Sequence, residues 1–131
     1  GGDLLPYSNG PTSVWSGFYS LRPHLKQESR TVDAAVRAAG ILLALAHHQY
    51  RARRDSSIKE ALEGAAQDLD VARGKAFLLA HHDAITGTAR SHVVHDYYAH
   101  LRDAEEIAGQ VARDALLLLH ARRARLGVVA A

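Results

Sequence analysis

Beyond residue 31 the apolar positions fall into stripes with a helical period. Val32, Val36, Ala39, Leu43, Ala46 and Tyr50 recur at alternating steps of four and three, which gathers them on one face of a helix. Pro23 suits the first position of that helix, where its missing N–H costs nothing, so the helix is expected from Pro23 to about Arg54. Asp55-Ser56-Ser57 breaks it, and Ser57 followed three residues later by Glu60 is a capping-box signature. A second stripe, Ile58, Leu62, Ala65, Leu69, Ala72, Ala76 and Leu79, keeps the heptad spacing of left-handed helix packing and is expected to end near His82. Thr86-Gly87-Thr88 reads as a turn, with Thr88 as the N-cap of a third helix. That helix carries Val93, Tyr97, Leu101, Ala104, Ile107, Val111, Ala115 and Leu118. Arg122, Arg123 and Arg125 match the dipole of its last turns, and Gly127 is a natural stop. Three long helices with short connections predict an all-α fold, an antiparallel three-helix bundle over residues 24–131. No strand pattern or internal repeat is visible.

Residues 1–23 break this regularity. They hold all three prolines and four of the ten glycines, which predicts an irregular N-terminal arm. The only tryptophan, Trp15, lies there with Phe18 and Tyr19 close by. An aromatic group of this kind is either a core anchor for the arm or a stacking platform for sugar rings, whose C–H faces are apolar.

Composition narrows the classes of function. The 131 residues are enough for one domain with a modest core. A chain that begins at Gly1 and contains no methionine is expected to be a processed or excerpted piece. Without cysteine, neither a disulfide framework nor a cysteine zinc site is available. The apolar runs Ile41 to Ala46 and Ala115 to Leu119 fall far short of the roughly 20 residues that span a bilayer, so no membrane contact is expected of this segment. Gly1 to Gly10 lacks the basic start and apolar centre of a signal peptide. The net charge is only +2 with neutral histidines. Arg51, Arg53 and Arg54, and Arg122, Arg123 and Arg125, are short clusters balanced by Glu60, Glu63, Asp68, Asp70, Glu105 and Glu106. They read as solvated, dipole-matched surface rather than a nucleic-acid interface.

The richest candidate chemistry is His81-His82-Asp83-Ala84-Ile85-Thr86-Gly87-Thr88. Neutral imidazole is a common zinc ligand, and a carboxylate beside it binds metal or a substrate hydroxyl. The plainer alternative is a histidine interacting with free carbonyls at a helix end. Zinc takes three or four ligands, and spacing alone supplies no such set around this turn. His92 and His95 share a helical face with Asp96 adjacent, a second place for a metal or simply a polar surface. His47 and His48 point about 100° apart on their helix and make a weaker pair.

Two stretches resemble segments of one family. His81 to Thr88, continuing through His92-Val93-Val94-His95-Asp96-Tyr97, resembles the HHD-x-[IV]-[TS]-G-T segment of the family 38 glycoside hydrolases, the class II α-mannosidases, and is most similar to their Golgi α-mannosidase II branch. Trp15-Ser16-Gly17-Phe18-Tyr19-Ser20-Leu21-Arg22-Pro23 resembles the family's W-[ST]-G-[YF]-[YF]-x-S-R-P. Both occur in the family's order, and the resemblance covers nearly the whole chain. Two positions depart from it: Ala80 stands for the usual glutamine before HHD, and Leu21 for the usual serine before Arg-Pro.

The resemblance implies the central three-helix domain of a retaining exo-α-mannosidase that trims mannose from N-glycans. Residues 1–23 would link it to an upstream catalytic α/β-barrel, and β domains would follow. It implies one Zn2+ per active site, shared with that barrel, with His82 as a metal ligand. Asp83 is then a contact to sugar hydroxyls and Trp15 a lining of the sugar site. The nucleophile and acid/base are expected in the barrel, so this chain alone is expected to be inactive. The secretory pathway, with the Golgi first, is the implied location. Two rivals remain: a non-catalytic helical interaction module that keeps an inherited signature, and a histidine-rich metal-binding bundle using His92 and His95.

Overall fold

The three stripes become three helices. In the computed structural model, which describes residues 6–51 and 55–125 and side chains as far as residue 121, α1 spans Pro23–Tyr50, α2 Ser56–Phe77 and α3 Ser91–Arg125. The expected run of α1 to Arg54, the side chains of Arg122, Arg123 and Arg125, and the stop at Gly127 lie outside the described residues. Pro23 opens α1 as expected.

Directions follow from two contacts. Tyr50 Oη at the end of α1 donates to the carbonyl of Leu118 late in α3 at 2.9 Å, so these helices run parallel. Lys75 Nζ near the end of α2 lies 2.8 Å from Asp103 Oδ2 in the first half of α3, so α2 runs against both. The bundle is up-down-up.

Its core is one cluster built from the predicted stripes. On α1 the buried positions include Val32, Val36, Ala39, Leu43, Ala46 and Tyr50. On α2 they are Leu62, Leu69 and Ala72, with Ile58, Ala65 and Ala76 partly buried against them. On α3 the stripe shifts slightly: Ala108 is fully buried and Ile107 only half so. Each large apolar side chain removed from water contributes about 1.5–3 kcal/mol. Ala39, Ala46, Ala72 and Ala104 are wholly buried, and such small side chains let helices approach closely.

The α2 start differs from the capping box. Asp55 is the N-cap, its backbone extended at φ −91° and ψ 106°. Its Oδ1 accepts from Ser57 N at 3.1 Å and Ile58 N at 3.3 Å. Ser57 is already helical, and its hydroxyl donates to the same Oδ1. Aspartate and serine both cap well, and the residue whose backbone is still extended takes the role.

The arm also holds more order than expected. Tyr7–Ser8 (β1) pairs antiparallel with Val14–Trp15 (β2), Tyr7 opposite Trp15. Two-residue strands are too short to produce the alternation that marks a strand in sequence. A 3-10 turn, Gly17–Tyr19, then leads to α1. No helix among the described residues is long and apolar enough to cross a membrane.

Two outcomes are expected. Leu101→Ala, at a position with no exposure, should lower unfolding free energy by about 2–5 kcal/mol in urea titration. The Lys75 ammonium holds the Asp103 carboxyl below its ordinary value. A depressed carboxylate contributes stability above its unfolded pKa and loses it as pH falls through the folded one. Asp103→Asn should therefore be slightly less stable than wild type at neutral pH, and the gap in thermal midpoint should close in acid.

Candidate metal and sugar site

The end of α2 builds the site. A 3-10 turn, Leu78–Ala80, continues the helix, and His81 leaves it with ψ 140°. The helical pattern therefore stops at Ala80, and His82 lies in the turn. Leu79 and Ala84 are buried on either side and pin the turn to the core. The carbonyl of His81 accepts from Ala84 N at 2.9 Å and Ile85 N at 3.3 Å, and Asp83 O accepts from Ala89 N at 2.9 Å.

α3 starts only at Ser91, where the carbonyl of Arg90 accepts from Val93 N and Val94 N. Thr88 therefore does not cap it. Its hydroxyl instead donates to Asp83 Oδ1 at 2.9 Å. The Thr86 hydroxyl stands 3.0 Å from that of Thr88 and also reaches the carbonyl of His82.

With Oδ1 engaged, Asp83 Oδ2 faces the imidazoles. It lies 3.6 Å from His81 Nε2 and 3.5 Å from His82 Nε2. The two rings are 4.2 Å apart and tilted by 45°. One donor atom from each of the three residues falls within 4.8 Å of the others. Two donors on one tetrahedral zinc stand about 3.3 Å apart, given bonds near 2.0 Å, so the spacing fits a partial ligand set. All three side chains are exposed, His82 most of all at 83 %.

Three candidate donors thus come together, because His81 joins His82 and Asp83 once the chain turns. Among the described residues this is the one group of three that could hold a metal. His92 and His95 are exposed on α3 and join no such group. Trp15 is not a core anchor: it is 54 % exposed, packs edge-on against Tyr7 at 5.9 Å and donates from Nε1 to Asn9 Oδ1 at 3.4 Å. Phe18 is half-buried and stacks on the exposed Tyr19.

The two signature segments meet at Gly87. Its φ is +76°, and a Cβ there would lie 2.8 Å from Leu21 Cβ and 3.0 Å from the Leu21 carbonyl oxygen. Only glycine takes that backbone without strain and admits so close a neighbour. The contact uses Leu21 backbone and Cβ, which serine also possesses, so the departure at this position leaves the packing intact. Arg22, next in line, is the one non-glycine residue with positive φ, at 51°, among those described. Such backbone costs about 1–3 kcal/mol and gathers at functional sites. One turn into α1, Lys26 is buried and its ammonium donates to the carbonyl of Ile85. Burial, then the neighbouring Arg30, lowers its pKa from the ordinary lysine value. Lys26 did not stand out in sequence, since it precedes the apolar stripe; His81 opened the candidate motif, but only the turn brings it to face Asp83. Beside the turn, Val36, Arg73, Phe77, Leu79, Ala80 and Ile85 help line an open groove of about 680 Å³ between α1 and α2.

Fold and site together define an all-α bundle domain that presents two imidazoles and a carboxylate from an exposed helix end. The chain belongs to the alpha-mannosidase middle-domain family, whose model matches residues 13–119. It is 36 % identical over 118 residues to alpha-mannosidase 2 of Drosophila melanogaster, covering 90 % of this chain and 10 % of that protein. It is 32 % identical over 108 residues to alpha-mannosidase F of Dictyostelium discoideum, covering 82 % and 10 %. To human alpha-mannosidase 2 it is 38 % identical over 101 residues, covering 73 % and 8 %. The chain spans about a tenth of the length of these relatives.

The Gly87 contact generates a prediction. Gly87→Ala should cost about 2 kcal/mol or more in urea unfolding, because strain at φ +76° adds to the clash with Leu21. A neutral result would mean that the turn does not pack on the arm in this way.

Proposed function

We propose that this chain is the middle domain of a retaining, zinc-dependent exo-α-mannosidase that removes terminal α-mannosyl residues from N-glycans. The observation that carries the reading is the convergence of His81, His82 and Asp83 on an exposed turn, in a chain that belongs to the middle-domain family. His82 is the metal ligand this domain contributes. Its imidazole is the most exposed of the three, as a ligand completing a site across a domain boundary must be. Asp83 accepts hydrogen bonds from sugar hydroxyls through Oδ2, while Thr88 holds Oδ1 and sets the carboxylate's rotation. Trp15 offers an indole face to the apolar side of the ring.

Zinc, when bound, supplies a Lewis acid that holds sugar hydroxyls and stabilises developing charge. Retention requires two further carboxylates about 5 Å apart, one as nucleophile and one as acid/base. Both are assigned to an upstream barrel of the parent, with β domains downstream. The parent acts in the secretory pathway, in the Golgi by its resemblance to that branch.

The test uses the full-length parent and an aryl α-mannoside. Activity should be lost on chelation, return with zinc, and collapse by at least two orders of magnitude in His82→Ala, about 3 kcal/mol of transition-state stabilisation. The isolated 131 residues should show none. A folded, zinc-loaded parent without activity would leave the non-catalytic interaction module as the better reading, and robust hydrolysis by the isolated chain would overturn the division of labour.

A further inference from the structure

We propose that Lys26 is a positioning residue for the metal turn: its bond to the Ile85 carbonyl holds His82 in place, so zinc retention by the parent depends on it. The proposal rests on the functional reading above and extends it to a residue outside both signature motifs.

Three observations carry it. Lys26 is the one charged residue buried among those described, at 7 % exposure. Its ammonium reaches across 59 residues of sequence to a main-chain carbonyl three residues beyond His82. The other hydrogen bonds of residues 81–89 run within the turn or to its immediate neighbours. Lys26 is therefore the polar tether that joins this turn to α1.

A buried cation facing one neutral carbonyl is a poor way to gain stability, since its desolvation is not offset by an opposite charge. An apolar side chain would fill the same space at less cost. What the ammonium supplies is direction. It fixes the Ile85 carbonyl, and with it the rotation of the backbone that carries His82 and Asp83. Ligands on an exposed turn lose affinity when the metal must order them on binding, and groups that orient ligands typically alter metal affinity by about 10–100-fold.

Charge and position make opposite predictions. A lysine acting only through its positive charge would repel the metal, and its removal would slow zinc loss. A lysine acting as a tether would speed it.

The experiment measures the rate of zinc loss to excess chelator from the full-length parent, well below its unfolding temperature. Wild type is compared with Lys26→Met, Lys26→Gln, Lys26→Arg, His82→Ala and Leu43→Ala, with kcat and KM taken for each on an aryl α-mannoside. Lys26→Met should lose zinc about 10-fold faster or more, with a fall in kcat. Lys26→Arg, which keeps a donor and the charge, should lie between Lys26→Met and wild type. Leu43→Ala, a core change on α1 remote from the turn in sequence, should keep the wild-type rate. Should Lys26→Met fail to fold, Lys26→Gln, whose shorter side chain cannot keep the same reach to the Ile85 carbonyl, decides: a rate faster than wild type supports the tether, and an unchanged rate overturns it. Zinc loss from Lys26→Met at or below the wild-type rate also overturns it, as does equal acceleration in Leu43→Ala. His82→Ala separates the two claims. If that variant holds zinc like wild type, the functional reading fails; if it releases zinc while Lys26→Met does not, only the positioning proposal fails.

Discussion

Gly87 stands at φ +76° with Leu21 where its own side chain would be, and the candidate site is built around that contact. It is the point at which the segment ending at Pro23 touches the turn of residues 81–88, distant in sequence. The backbone can turn there because glycine has no Cβ. The turn in turn frees His81 and His82 from α2 and lets both face Asp83. A helix that ran on through His82 would have spread the two imidazoles about 100° apart, and no common donor set would exist.

The bundle serves this turn more than it serves itself. Buried Leu79 and Ala84 anchor the turn at its two ends, and the long stripes of α1 and α2 keep that end of the bundle in register. The side chains on the turn are exposed, and so is Phe77 beside it, at 78 %. The relatives are about ten times longer than this chain, so the middle domain is one part of a multidomain protein.

Most of the fold was legible in the pattern of apolar residues. Every position in the α1 and α2 stripes packs into or against the core, because burial on one face of a helix is what a period of 3.6 encodes. The failures are local. Asp55 took the cap from Ser57 because backbone conformation, not residue preference alone, selects the N-cap. Thr88 was drawn to Asp83 rather than to a helix start three residues later. The hairpin at Tyr7 and Trp15 was too short to leave a periodic trace. Within the site, the motif placed His82 and Asp83 but not their geometry. Lys26 reaches the turn through a contact across 59 residues that leaves no mark in local sequence, and His81, visible in the motif, meets Asp83 only because the chain turns.

The central claim is that this turn delivers a histidine to a metal. The most direct measurement is anomalous scattering at the zinc edge from crystals of the full-length parent. The account predicts a peak about 2.0–2.1 Å from an imidazole nitrogen of His82, the bond length zinc makes with histidine. A peak at His92 and His95 with none at the turn, or no peak in an active enzyme, would contradict it.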